Sequence, residues 1–201
     1  MKAQSAHYLV IDLEATCERG GALPPPETEI IEIGAVLVAA GSFAIEAEFQ
    51  TFVRPVARPR LTAFCTELTS ITQADVDRAP TFPAAVAALA SFVAGRDALF
   101  CSWGEYDRNQ FGRDARRHRV SLPFGGRHLN LKACFSEALG ESRPYGMAAA
   151  LRRVGLPLAG THHRGIDDAR NIARLLPYAL GEAKPARGPR HEPWRGAAGR
   201  G

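Results

Sequence analysis

Apolar and polar positions alternate in blocks along this chain. Tyr8-Leu9-Val10-Ile11 is apolar on both faces, and Tyr8 to Glu14 reads as a central strand covered on both sides. Ile30 to Val38 and Ala47 to Val53 give two further strands. The loop from Glu18 to Glu29, with Pro24-Pro25-Pro26 at its centre, joins the first two. Short connections among these three favour antiparallel neighbours. Helical stretches follow near Leu61–Thr69 and Gln73–Arg78, with Thr72 and Asp75 as a helix-start signal. Pro83 to Ala94 keeps Ala, Val, Leu and Phe on one stripe. Ala98 to Ser102 is a short apolar strand, Asp107 to Arg119 a helix, and His128 to Leu131 a fifth strand. Helices are expected near Leu131–Leu139, Tyr145–Val154 and Ile166–Leu180. Three strands, helices, then strand-helix-strand-helices describe an α/β layered domain with a mixed sheet. Residues 5–181 form that domain, and 182–201 read as a disordered Pro/Gly/Arg-rich tail without an apolar period.

Composition changes this picture little. Of 201 residues, 46% are apolar and 23% charged, which excludes collagen-like, fully disordered and membrane classes. No apolar run reaches the ~18 residues of a membrane span. Asp12 ends the first apolar run too soon for a signal-peptide core, so the cytoplasm is the default location. Cys17, Cys65, Cys101 and Cys134 contain no C-x-x-C pair and read as reduced thiols rather than a zinc or disulfide framework. The net charge of +4 lies entirely in Lys184 to Gly201, which carries five basic residues and one acidic. That tail either holds a nucleic-acid backbone loosely or is a solvated end.

The candidate chemistry is carboxylate. Asp12 and Glu14 are two apart on one strand, so both project to one face, with Cα atoms roughly 7 Å apart. Water at the strand end or a hard cation can relieve such a pair. In the run His162-His163-Arg164-Gly165-Ile166-Asp167-Asp168, two aspartates open a helix. Asp168 shares a stripe with Ile172, Leu175 and Ala179 and is directed inward. Asp167, with Asn171, Arg174 and Tyr178, falls on a mostly polar stripe and suits an exposed helix start. Asp107 lies just past a short strand, where it is either a helix cap or part of a ligand site at the strand ends. Convergence of Asp12, Glu14, Asp107 and Asp168 would demand cations such as Mg²⁺ or Mn²⁺, with His163 as a nearby base. The arginines from Arg108 to Arg119 suit a solvated helix face or a guide for phosphates.

Asp12-x-Glu14, Asp107 and His163-x4-Asp168 resemble the signature of the DEDDh, or DnaQ-like, 3′→5′ exonucleases. Asp12-Leu-Glu14-Ala-Thr16-Cys17, Glu29-Ile-Ile-Glu32, Phe52-Val53-Arg54-Pro55 and Leu68-Thr69-Ser70-Ile71-Thr72 extend the likeness. It points to the branch of the 3′-histone-mRNA exonuclease and bacterial KapD-type proteins, over about residues 8–180. The resemblance implies a ribonuclease H-like fold, a five-stranded mixed sheet flanked by helices. It implies two divalent cations, with Asp12 bridging both, Glu14 and Asp168 holding one and Asp107 acting on the second. His163 would take the proton of the attacking water, and 5′-mononucleotides would leave the 3′ end. Arg164 stands where a sister branch has tyrosine, which favours the histidine branch. For substrate, the resemblance implies Ala15 and Thr16 beside the terminal nucleotide and Phe64 and Leu68 against its base. Tyr106 stands where the histone-mRNA member has tryptophan, with Trp103 three residues earlier as a core or contact residue. His162 reads as a loop residue or a minor phosphate contact.

The leading expectation is thus hydrolysis of single-stranded nucleic acid, RNA before DNA, with no membrane partner. The rivals are a DNA proofreading or repair exonuclease and a non-catalytic nucleic-acid-binding regulator on the same fold.

Overall fold

The computed structural model describes residues 5–185, so the tail expectation for 186–201 lies outside the described residues. Five strands, β1 (His7–Ala15), β2 (Ile30–Ala39), β3 (Ile45–Phe52), β4 (Ala98–Ser102) and β5 (His128–Asn130), form one sheet in the order β3-β2-β1-β4-β5. The first three pair antiparallel, while β1–β4 and β4–β5 are parallel. The mixed five-stranded sheet read from the sequence is therefore the observed one. Seven helices flank it among the described residues: α1 (Ala63–Thr69), α2 (Gln73–Asp77), α3 (Phe82–Val93), α4 (Tyr106–His118), α5 (Leu131–Ala138), α6 (Met147–Arg153) and α7 (Gly165–Ala179).

Side-chain parity distributes the core. On β1, Leu9, Ile11 and Leu13 pack with α3 and α4 residues such as Leu89 and Phe111, whereas Tyr8 and Val10 pack with α5–α7 residues. The period of two then carries Asp12 and Glu14 onto the α7 face at the end of the strand. On β2 the same alternation puts Ile33 and Ala35 on the first face, and Glu32 and Gly34 on the second.

Gly34 and Gly165 set the approach of α7 to the sheet. A Cβ at Gly34 would lie 2.1 Å from the carbonyl carbon of Gly165, and one at Gly165 would lie 3.0 Å from the Asp12 carbonyl oxygen. Buried Glu32 fastens this junction. It accepts from the Gly165 N–H (3.0 Å), from Arg164 Nε (3.1 Å) and from Gln50 Nε2 (2.6 Å). Ile172, Leu175 and Ala179 are buried as the stripe predicts.

Some boundaries differ from expectation. The edge strand β3 starts at Ile45 rather than Ala47, because a register irregularity beside Leu37 lets Ile45 pair with Val38. The Glu18–Glu29 loop contains two short 3₁₀ turns, Arg19–Gly21 and Pro25–Glu27. Arg117 secures it by donating to the carbonyls of Thr28 and Pro26, and Asp114 accepts from the Ile30 N–H. Arg113 donates to Gln110 and Arg108 to Glu105, so these three α4 arginines are engaged within the fold. Asn171 falls on the polar stripe but is fully buried, because it ties both the N–H and the carbonyl of Ala159 to α7.

Candidate active site

One cavity of about 330 Å³ opens where β1 and β4 end. Asp12, Glu14, Asp107, Asp168, His162 and His163 all line it. Strand parity supplies the first two acids. Asp107, in the first turn of α4, is anchored by the Leu13 N–H, which donates to its Oδ1 at 3.0 Å. Asp168, in the first turn of α7, is turned inward as its stripe demands and is 4% exposed.

The loop before α7 wraps around Asp168. The His163 N–H donates to its Oδ2 (3.0 Å), and His162 Nδ1 lies 2.9 Å and 3.1 Å from the two carboxylate oxygens. His163 has φ of 63°, the left-handed region, which reverses the chain so that both adjacent imidazoles face the acid. The rings stack with centroids 4.0 Å apart. His162, which the sequence marks as a loop residue or a minor phosphate contact, is thus a contact of Asp168. Its only signal was the His-His doublet itself.

The charges in this cavity are costly without compensation. Burial, then the carboxylates of Asp107, Glu14 and Asp168, hold the Asp12 carboxyl well above its usual range. Burial, then Asp168 and Glu32, pushes Glu14 up to about 9. Burial raises Asp107 to about 6 against the N–H of Leu13 and the Ser102 hydroxyl, which lower it. Burial raises Asp168 against the His163 N–H and His162. Crowded, desolvated acids hold protons unless a cation replaces them. Ligand atoms of Asp12, Glu14 and Asp168 all lie within 4.8 Å of one another, as do those of His162, His163 and Asp168. An oxygen-only trio suits a hard divalent cation. Burial and the neighbouring His162 lower the pKa of His163 from its usual value, against the pull of Asp168.

The expected substrate contacts are divided. Ala15, Leu68 and Tyr106 line the cavity, with Leu13, Cys17, Trp103 and Met147 beside them. Thr16 borders the adjoining hollow and its Oγ1 accepts from the Glu29 N–H, which fixes the chain where β1 ends. Phe64 is not among the cavity-lining residues; the Arg19 guanidinium lies 5.1 Å from its ring centre. Leu68 shares its face of α1 but lies one turn further along the helix, at the cavity, while Phe64 sits a turn earlier beside Arg19. Trp103 packs on Phe135 and donates from Nε1 to the Tyr145 carbonyl at 3.0 Å, so it is a wall of the core as well as of the cavity.

A mixed sheet of this order, flanked by helices and carrying acids at adjacent strand ends, defines the ribonuclease H-like nuclease class of fold. Within it, the chain belongs to the exonuclease family RNase_T, whose profile matches residues 9–176. It is 33% identical over 180 residues to 3′-5′ exoribonuclease 1 of Homo sapiens, covering 84% of this chain and 51% of that protein. It is 32% identical over 196 residues to ERI1 exoribonuclease 2 of Danio rerio, covering 87% of this chain and 35% of that protein. The chain thus spans about half or less of these curated relatives. Among solved structures, the nuclease domain of 3′hExo, a DEDDh family member bound to rAMP, superposes with a TM-score of 0.82 at 30% identity. That match covers 90% of this chain and 95% of the other. A 3′-exonuclease recognising the histone mRNA stem-loop gives 0.82 at 29% identity, covering 89% and 64%. Among the described residues, no helix is long and apolar enough to cross a membrane.

Proposed function

We propose that this protein is a metal-dependent 3′→5′ exonuclease that hydrolyses single-stranded nucleic acid, RNA in preference to DNA, to 5′-mononucleotides. The observation that carries this reading is the cavity that joins four carboxylates to His162 and His163. The family supports the nuclease assignment, and relatives named exoribonucleases support RNA.

Asp12, Glu14 and Asp168 would hold one divalent cation, Mg²⁺ or Mn²⁺, and Asp107 would act on a second. Bound there, such ions supply charge stabilisation for displacement at phosphorus. His163 accepts the proton of the attacking water as a neutral imidazole. The His163 N–H and His162 orient Asp168 by contacting both its oxygens. Ala15 and Leu68 border the terminal nucleotide, and Tyr106, 49% exposed, offers an aromatic edge to a base. Thr16 backs the Ala15 side. Residues 5–181 act as one exonuclease domain.

The test is degradation of a 5′-labelled single-stranded RNA with Mn²⁺ beside a matched DNA. The expected result is a ladder shortening from the 3′ end, faster on RNA and abolished by EDTA or Asp12→Ala. Intact RNA and DNA in every lane, or a ladder unchanged by Asp12→Ala, would overturn the proposal.

A further inference from the structure

Two of the four cysteines meet at the wall of the catalytic cavity. Cys17, just past the end of β1, lines that cavity and also the hollow on its other side. Cys65, on α1, is fully buried behind it and packs with Cys17 among Ile31, Ile71 and Val76. Polar contacts already fasten the two segments together. Thr62 Oγ1 donates to the Cys17 carbonyl (2.8 Å) and accepts from the Cys65 N–H (3.0 Å). Cys65 Sγ donates to the Ala15 carbonyl at 3.6 Å. Thr62 and the Ala15 carbonyl therefore hold Cys65 against the segment that carries Cys17. Cys101 and Cys134 lie apart, in the cluster beneath α7.

We propose that Cys17 and Cys65 form a reversible oxidation site, at which hydrogen peroxide makes a disulfide that ties the end of β1 to α1 and shuts down the cavity beside it. The geometry suits the chemistry: Cys17 opens to the cavity, where peroxide can reach it, and Cys65 is held behind it by Thr62 and the Ala15 carbonyl. One thiolate attacks a peroxide oxygen, the O–O bond breaks, and a sulfenic acid and water result. The second sulfur displaces that hydroxyl as another water and forms the S–S bond. Two thiols and one peroxide become one disulfide and two waters, and an added dithiol reverses the reaction. An S–S bond of about 2.05 Å is far shorter than any non-bonded contact between sulfurs. Its formation draws Cys17 towards α1 and breaks the Cys65 contact to Ala15, disturbing the backbone that follows Glu14. The effect on rate rests on the proposed nuclease activity; the formation of the bond does not.

The experiment treats the whole protein with hydrogen peroxide, alkylates the remaining thiols and maps peptides by mass. RNA cleavage is measured before oxidation, after it and after dithiothreitol. A Cys17–Cys65 peptide pair two hydrogens lighter is expected, with about a tenfold or greater fall in kcat/KM restored by the dithiol. Cys17→Ser should keep its own rate through peroxide, and the Cys101→Ser, Cys134→Ser double variant should stay sensitive. Absence of that peptide pair, or its presence without loss of rate, overturns the proposal. If the reduced protein cleaves nothing, the nuclease reading fails, and the peptide map still decides the oxidation site.

Discussion

Gly34 contributes no side chain to the cavity, yet its replacement should disable the site. Its Cβ would stand 2.1 Å from the Gly165 carbonyl carbon and 2.2 Å from the Ile166 nitrogen. Both obstacles are backbone, so no rotamer can relieve them. Reaching an ordinary 3.4 Å separation moves the start of α7 away from β2 by about 1.3 Å. His163 and Asp168 flank that point in sequence, whereas Asp12 and Glu14 stay with the sheet. A displacement near 1 Å among reacting groups costs on the order of 100-fold in rate. The overpacking should cost about 1–3 kcal/mol, or roughly 2–12 °C in Tm for a domain of this size. Gly41→Ala is the control, since nothing lies within 4 Å of a Cβ there. Initial rates on labelled RNA and thermal melts decide the matter. A Gly34→Ala protein that keeps its rate within about threefold and melts as wild type refutes the argument that glycine packing sets the distance between acids.

Further outcomes follow from the same geometry. Glu32→Ala leaves Arg164 and the Gly165 N–H without their buried acceptor and should cost about 3–5 kcal/mol in urea melts. His163→Ala should lower kcat by about 10²–10⁴-fold with little change in KM. His162→Ala should cost less, since it acts through the orientation of Asp168, and steady-state kinetics separates the two. Without metal, the folded protein holds protons on Glu14 (about 9) and Asp107 (about 6) that the unfolded chain releases nearer 4. Its Tm under EDTA should therefore fall as pH rises from about 4 to 9. Mn²⁺ should raise Tm most at the alkaline end, and a stabilisation by Mn²⁺ that grows on acidification would contradict this.

Much of the fold was legible because β1 and α7 follow their ideal periods. Parity on β1 fixes the shared face of Asp12 and Glu14, and the stripe through Ile172 and Leu175 fixes the inward turn of Asp168. Where the backbone departs from those periods, the sequence was silent. The left-handed residue His163 makes neighbours converge that a regular strand or helix would part, so the contact of His162 was hidden. The resemblance names Phe64 and Leu68 together, and only Leu68, one helical turn further along α1, lines the cavity. Asn171 sits on a polar stripe, yet an incoming loop buries it. The role of Glu32 depends on two segments 132 residues apart, which no local pattern encodes.

The central claim is that water, deprotonated within this acidic cavity, attacks the 3′-terminal phosphodiester. The most direct measurement is hydrolysis of a defined single-stranded RNA in ¹⁸O-water with Mn²⁺, with the released nucleotides weighed by mass spectrometry. Nucleoside 5′-monophosphates carrying a single ¹⁸O on phosphorus, absent from the Asp12→Ala reaction, are the predicted result. Nucleoside 3′-phosphates, 2′,3′-cyclic phosphates or unlabelled monophosphates would contradict the account, as would release that persists in Asp12→Ala.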